Sequence, residues 1–146
     1  MWMRWKKYEV KCKTHDFDSL ERSERKSVNK RELGSFYENV ACEYLKDKGI
    51  RILEQNYRCK MGEVDIIGKE NDCIIFFEVK YRKTQEYGQA LAVVDYKKQK
   101  RISRCAAFYC MQHPHVNVVR YDVIGITDTK IEWIKNAFPH RGYGFY

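Results

Sequence analysis

Apolar residues recur at three- and four-residue intervals from Leu33 through Phe36, Tyr37, Val40, Ala41 and Tyr44 to Leu45, the spacing of one buried helix face. Gly49 supplies a stop, and Glu38 lies on the flank of the stripe. Beyond it the pattern changes to short β-type runs over residues 50–57, 63–68 and 73–81. They are separated by Arg58-Cys59-Lys60-Met61-Gly62 and by Lys69-Glu70-Asn71-Asp72, polar breaks suited to turns. These three runs predict an antiparallel meander. A second helix is expected from about Val94 to Gln112, with Ile102, Ala106 and Tyr109 on one side. It ends before Pro114, whose ring and missing N–H stop a helix. Closing strands are expected at 117–126 and 130–134. A strand reached through a crossover helix tends to lie parallel to its predecessor, so this order predicts an α/β fold with a five-stranded mixed sheet flanked by helices.

Outside these elements the pattern thins. Residues 1–31 hold ten Lys+Arg and five Asp+Glu with little apolar periodicity after Thr14, and are expected to form a basic, flexible N-terminal extension. Its Trp2 and Trp5 suit either base stacking or packing on the domain. The expected domain spans 32–138, followed by a tail at 139–146. With 146 residues, 44% of them hydrophobic, the chain can fill one core. No apolar run approaches the roughly 20 residues of a membrane span, and the Trp/Lys/Arg-rich start lacks the apolar stretch of a secretory signal. The expected compartment is the cytoplasm, with no membrane partner. The six cysteines form no CxxC pair, and the four histidines show no zinc-type spacing; reduced thiols are expected. His113 and His115, flanking Pro114, read as structural.

Charge narrows the partner. A formal +8 on so small a body favours polyanions, nucleic acid first. The excess is concentrated: from Lys80 to Arg104 stand eight basic residues and two acids, Glu86 and Asp95. Lys100 and Arg101 are the favoured phosphate contacts, and Lys97 and Lys98 read as a solvated helix face. Arg58 and Arg82 are further candidates, although either could pair with a nearby carboxylate.

The candidate chemistry lies in Gly62-Glu63-Val64-Asp65-Ile66-Ile67 and Phe77-Glu78-Val79-Lys80-Tyr81-Arg82. Period-two alternation puts Glu78, Lys80 and Arg82 on one strand face and Glu63, Asp65 and Ile67 on another. A turn at Asn71-Asp72 places Asp65 opposite Glu78, and Glu63 opposite Lys80. Facing carboxylates in an apolar hairpin repel each other, and a bound cation removes that cost. Hard oxygen ligands suit Mg²⁺, or Mn²⁺ in its place. The ordinary reading of Glu78 and Lys80 is an edge-strand ion pair worth about 0–1 kcal/mol. The functional one is phosphodiester hydrolysis, with Asp65, Glu78 and Glu63 as candidate metal ligands and Lys80 offsetting transition-state charge. Glu38 and Glu63 compete to complete the ligand set or hold its water.

Four ordered motifs carry a resemblance: Gly34-x3-Glu38-x2-Ala41-x2-Tyr44-Leu45, Gln55-Asn56-Tyr57-Arg58, Gly62 to Ile67, and Phe77 to Arg82. With Arg120-Tyr121-Asp122-Val123 and Asn136-Ala137-Phe138, they resemble the bacterial YraN-like family over residues 31–138. That family is similar to the restriction-endonuclease-like superfamily and to archaeal Holliday junction resolvases, which share an Asp, a following Glu-x-Lys and an upstream helical Glu. The resemblance implies a restriction-endonuclease-like core, Mg²⁺ dependence and catalytic roles for Asp65, Glu78, Lys80 and Glu38. Because resolvases work in pairs, it also implies a homodimer. One departure is Tyr37, where that family usually has Gly before the Glu.

The leading expectation is therefore a metal-dependent endonuclease acting on DNA, with branched or damaged forms as candidate substrates. The alternative is a non-catalytic nucleic-acid-binding protein whose carboxylates pair with Lys80 and Arg82. A third is an interaction protein with incidental charge.

Overall fold

The computed structural model describes residues 30–82, 94–127 and 130–142. The order is α1 (Lys30–Asp47), β1 (Arg51–Cys59), β2 (Gly62–Glu70), β3 (Cys73–Tyr81), α2 (Tyr96–Gln112), β4 (Val118–Ile126) and β5 (Ile131–Ile134). The expected extension up to residue 29, the segment with Lys83, Glu86 and Gly88, and the tail from residue 143 lie outside the described residues. Helix α1 takes in Lys30 and Arg31, which the apolar pattern had assigned to the extension. Glu32 in its first turn complements the helix dipole, a contribution that an apolar stripe does not register. Asp95 caps α2 by accepting a 2.8 Å hydrogen bond from the backbone N–H of Lys98.

The five strands stand in the order β1-β2-β3-β4-β5, in one mixed, open sheet. The first three form the antiparallel meander, β3 and β4 pair parallel across α2, and β5 returns antiparallel. The turn at Asn71-Asp72 is as expected, with Asn71 at φ 53°, a conformation Asn tolerates well. Helix α1 packs through Tyr37, Val40, Ala41 and Leu45 on Ile66, Ile75, Phe77 and Ile124. Helix α2 packs through Ile102, Cys105, Ala106 and Tyr109 on Val64, Ile67, Phe76 and Val123 of the other face. With both faces covered, central β3 can be apolar without alternation from Ile74 to Phe77, all buried. No described helix is long and apolar enough to cross a membrane.

One feature of the sheet positions the site. The β2–β3 ladder runs from Glu70–Cys73 to Ile66–Phe77 and stops there. Strand β2 continues beside β1 through Val64–Tyr57 and Glu63–Arg58, while β3 continues beside β4 as far as Tyr81–Ile126. The sheet thus forks at Asp65 and Glu78. Glu63, expected opposite Lys80, is paired instead with Arg58, because β2 stays with β1 after parting from β3. Alternation also breaks at the fork: Val64 packs on the α2 side and Ile66 on the α1 side. Across β1, between the pairs Gln55–Ile66 and Tyr57–Val64, Asn56 takes a left-handed φ of 52°.

The two closing motifs meet in a buried knot. Asp122 is fully buried and accepts hydrogen bonds from Arg120 Nε (2.9 Å), Trp133 Nε1 (2.8 Å) and the Asn136 backbone N–H (2.8 Å). Arg120 also bonds Glu70 at 3.0 Å, tying β4 to the end of β2. Every donor faces an acceptor, so Asp122 is explained as the anchor of β5.

Candidate active site

Glu78 is a different kind of buried acid. It stands in the middle strand of five and is 2% exposed, which overturns the edge-strand reading. Its Oε1 lies 2.8 Å from Lys80 Nζ. Its Oε2 is buried and accepts no hydrogen bond; Lys98 Nζ stands 3.4 Å away. Leaving a buried carboxylate oxygen unbonded is costly, and Asp122 in the same sheet shows that this fold can satisfy one completely. Lys98 was expected on a solvated face. It reaches inward instead, from the first turn of α2 to the Glu78 carboxylate.

Asp65 occupies the fork itself. Its Oδ2 accepts a 2.8 Å hydrogen bond from the Val79 backbone N–H, replacing the ladder bond lost where β2 and β3 part. Burial, with the Glu78 charge next in size, pushes the Asp65 carboxyl up to about 8; the Val79 bond and Lys98 oppose the shift. Burial disfavours the Lys80 ammonium, but its bond to Glu78 and the field of Glu78 and Asp65 outweigh that, and its pKa is raised. Lys80 therefore stays charged beside the acids.

Helix α1 supplies Glu38, half-buried, with its carboxyl hydrogen-bonded to the Asn56 side chain. Burial raises its pKa most, and Glu63 and Glu78 add to the rise, against Asn56 and Arg58. Glu38 thus lies within the field of the same acids. The large Tyr37 beside it is accommodated by stacking on Tyr81 of β3, with centroids 3.8 Å apart and planes 9° from parallel. Such a contact stabilises by about 0.5–1.5 kcal/mol beyond the area buried.

The structure brings together Glu38, Asp65, Glu78 and Lys80, and adds Lys98 and Asn56, which the sequence reading had not assigned to the site. For Asn56 the available signal was an Asn inside a strand-like run. For Lys98 it was position in the first turn of a helix that follows β3. The other candidates sit further out. Glu63 forms an exposed 3.4 Å pair with Arg58. Arg82 is exposed at the end of β3, its backbone N–H bonded to Ile126 O at 2.8 Å. Lys100 lies over the Tyr96 ring at 5.8 Å. Arg101 covers Gly62, where an added Cβ would come within 2.7 Å of Arg101 Cγ. Among the described residues no three His, Cys, Asp or Glu side chains gather into a metal-binding group.

The remaining reactive side chains are otherwise engaged. All five described cysteines are free thiols. Cys59 and Cys105 approach to 3.6 Å, and burial, with the Cys59 bond next, pushes Cys105 up to about 12. His113 stacks on Tyr109 at 4.0 Å, with Nδ1 2.8 Å from the Tyr109 carbonyl oxygen.

Fold and site define an α/β protein whose central sheet forks around a buried carboxylate–lysine cluster. The chain belongs to the family described as uncharacterised protein family UPF0102, whose model matches residues 37–126. That segment includes Glu38, Asn56, Asp65, Glu78, Lys80 and Lys98. The chain is 44% identical over 114 residues to a UPF0102 protein of Clostridioides difficile, covering 76% of this chain and 100% of the relative. A Thermodesulfovibrio yellowstonii UPF0102 protein is 43% identical over 107 residues, covering 73% and 96%. One from Vibrio parahaemolyticus is 40% identical over 113 residues, covering 75% and 93%.

Proposed function

We propose that this protein is a metal-dependent endonuclease of the restriction-endonuclease-like superfamily, hydrolysing phosphodiester bonds in DNA at the fork between β2 and β3. The observation that carries the reading is the pair Asp65 and Glu78. One carboxyl is pushed up to about 8 by burial and its neighbour, and the other keeps a buried oxygen without a hydrogen bond. A divalent cation fits this donor set. Two hard carboxylates are the usual protein share for Mg²⁺ or Mn²⁺, with water completing the shell, and a doubly charged ion would reverse the repulsion between the acids. Asp65 and Glu78 would hold it. Glu38 would hold an associated water, whereas Glu63, turned to Arg58 at the surface, is the weaker candidate. When bound, the ion supplies Lewis-acid polarisation of a phosphate oxygen and a more acidic water.

The chain's own residues do the rest. Water attacks phosphorus, a P–O bond breaks, and the departing oxygen takes up a proton. Lys80, charged and one-third exposed, offsets the negative charge that builds on the phosphoryl oxygens. Glu38, with its pKa raised by burial, accepts the proton of the attacking water. Arg58, Arg82 and Arg101, further out, contribute phosphate contacts, and Lys100 does so from the outer side of α2.

The test is cleavage of labelled linear, flapped and four-way DNA with Mg²⁺ or Mn²⁺, beside the Glu78→Gln protein and an EDTA control. Metal-dependent cutting that disappears in Glu78→Gln is expected. A second reading is favoured by the contacts of Lys80 and Lys98 with Glu78, which could neutralise that acid internally. The protein would then bind nucleic acid without cutting it, and binding intact in both proteins with no cleavage would establish that reading.

A further inference from the structure

Helix α2 carries Lys97, Lys98, Lys100, Arg101 and Arg104 and no acid from Tyr96 to Gln112. All five cations lie between its first turn and its midpoint, where the positive end of the helix dipole opposes them. Lys97, Lys100, Arg101 and Arg104 are also spaced three or four apart, so like charges face one another along the helix. Among the described residues only Lys98 of these five has an acidic partner, Glu78. Arg101 lies over Gly62 at the start of β2, whereas Lys100 and Arg104 stand on the side of α2 that faces away from the sheet.

On that side lies a groove of about 170 Å³, walled by Lys100, Ser103, Arg104 and Ala107 of α2 and by His140 and Arg141 of the C-terminal segment. Among the described residues no carboxylate lines it. The second wall is firmly built: the Arg141 backbone N–H donates to the buried Ser103 Oγ at 2.9 Å, and His140 Nδ1 lies 2.6 Å from the Tyr121 hydroxyl. Arg141 Nε donates to Gln99 Oε1 at 3.1 Å, which holds its guanidinium 5.4 Å from the centre of the Tyr96 ring. Lys100 Nζ is 5.8 Å from the same ring. Tyr96 is 60% exposed.

We infer that this groove binds an unpaired stretch of nucleic acid, with phosphates among Lys100, Arg104 and Arg141 and a base stacked on the exposed ring of Tyr96. Fixed cations beside an exposed aromatic ring are the combination that holds single strands, because every base has a face to stack and every nucleotide a phosphate. A fully paired duplex would keep its bases in its own stack and leave Tyr96 unused. The inference deepens the proposed nuclease reading by naming the form of its substrate, and rests on that reading for its purpose but not for the binding itself.

The experiment is fluorescence anisotropy with a labelled oligothymidylate and a labelled fully paired hairpin, in EDTA over a range of salt. It compares the parent with Arg104→Ala, Tyr96→Ala and Tyr96→Phe. Arg104→Ala should reduce the slope of log affinity against log salt for the single strand by about 0.7, the loss of one phosphate contact. Tyr96→Ala should weaken single-strand binding roughly tenfold and hairpin binding little, and Tyr96→Phe should restore it. Arg104→Ala should melt no lower than the parent, since it relieves repulsion. An unchanged salt slope in Arg104→Ala, or equal losses for strand and hairpin in Tyr96→Ala, would overturn the inference. The expected binding pattern without cleavage by any protein would remove the nuclease reading and leave the groove; cleavage with unaltered binding would do the reverse.

Discussion

The Asp65 side chain accepts the backbone N–H of Val79 at 2.8 Å, so a carboxylate takes the place of a strand where β2 and β3 separate. That bond holds an acid against Glu78 that burial and charge would otherwise keep apart.

Asp65 gives stability a particular pH dependence. Its pKa is raised from 3.8 to about 8, by burial first and Glu78 second, so the folded state holds a proton that the unfolded chain has lost. The favourable contribution is complete below the unfolded value and is lost as pH rises through the folded one. The melting temperature of the parent, relative to Asp65→Asn, should therefore fall from pH 5 to about 8 and level above it. Mg²⁺ at pH 8 should raise it in the parent and not in Asp65→Asn. Parallel profiles for the two proteins would remove the assignment.

Lys98 competes with any cation for the unbonded oxygen of Glu78, from 3.4 Å. Lys98→Ala should therefore lower the Mg²⁺ concentration at half-effect several-fold in a thermal-shift titration, and Glu78→Gln should raise it. No movement in either variant would mean that the ion binds elsewhere.

Asn56 combines a left-handed backbone, φ 52°, with a side chain bonded to Glu38. Asn56→Gly keeps the backbone freedom and loses the bond. It should leave stability within about 1 kcal/mol while depressing cleavage and raising the acid-limb pKa of the rate profile, since the Asn56 bond lowers that of Glu38. Asn56→Ala should lose stability as well, by about 1–2 kcal/mol. Urea unfolding and pH-rate profiles separate the two effects.

Asp122→Ala should destabilise by about 3–5 kcal/mol in urea unfolding, because Arg120, Trp133 and the Asn136 N–H lose a buried shared acceptor. It should not alter the Mg²⁺ midpoint of the remaining folded protein. A mild effect would show that β5 is held chiefly by its apolar contacts.

Much of this protein is written in local pattern. The stripe from Leu33 to Leu45 specifies α1, the apolar run and the polar Asn71-Asp72 break specify the β2–β3 hairpin, and Asp65, Glu78 and Lys80 stand out as charges in apolar surroundings. These follow from the sequence because backbone periodicity and turn chemistry depend on near neighbours. The register of that hairpin was also legible, since one turn determines every pair that follows. What only the tertiary structure decided is where the pairing ends: β2 remains with β1 and β3 with β4, a competition between long-range ladders that no window of sequence contains. From that fork follow the Asp65–Val79 bond and the removal of Glu63 to the surface. The inward reach of Lys98 and the bond from Asn56 to Glu38 likewise depend on how α2 and α1 pack against the sheet. Helical periodicity tells which side of a helix is apolar, but a long cation on its flank turns to solvent or to a buried acid according to what stands opposite, and only the packed sheet places Glu78 there.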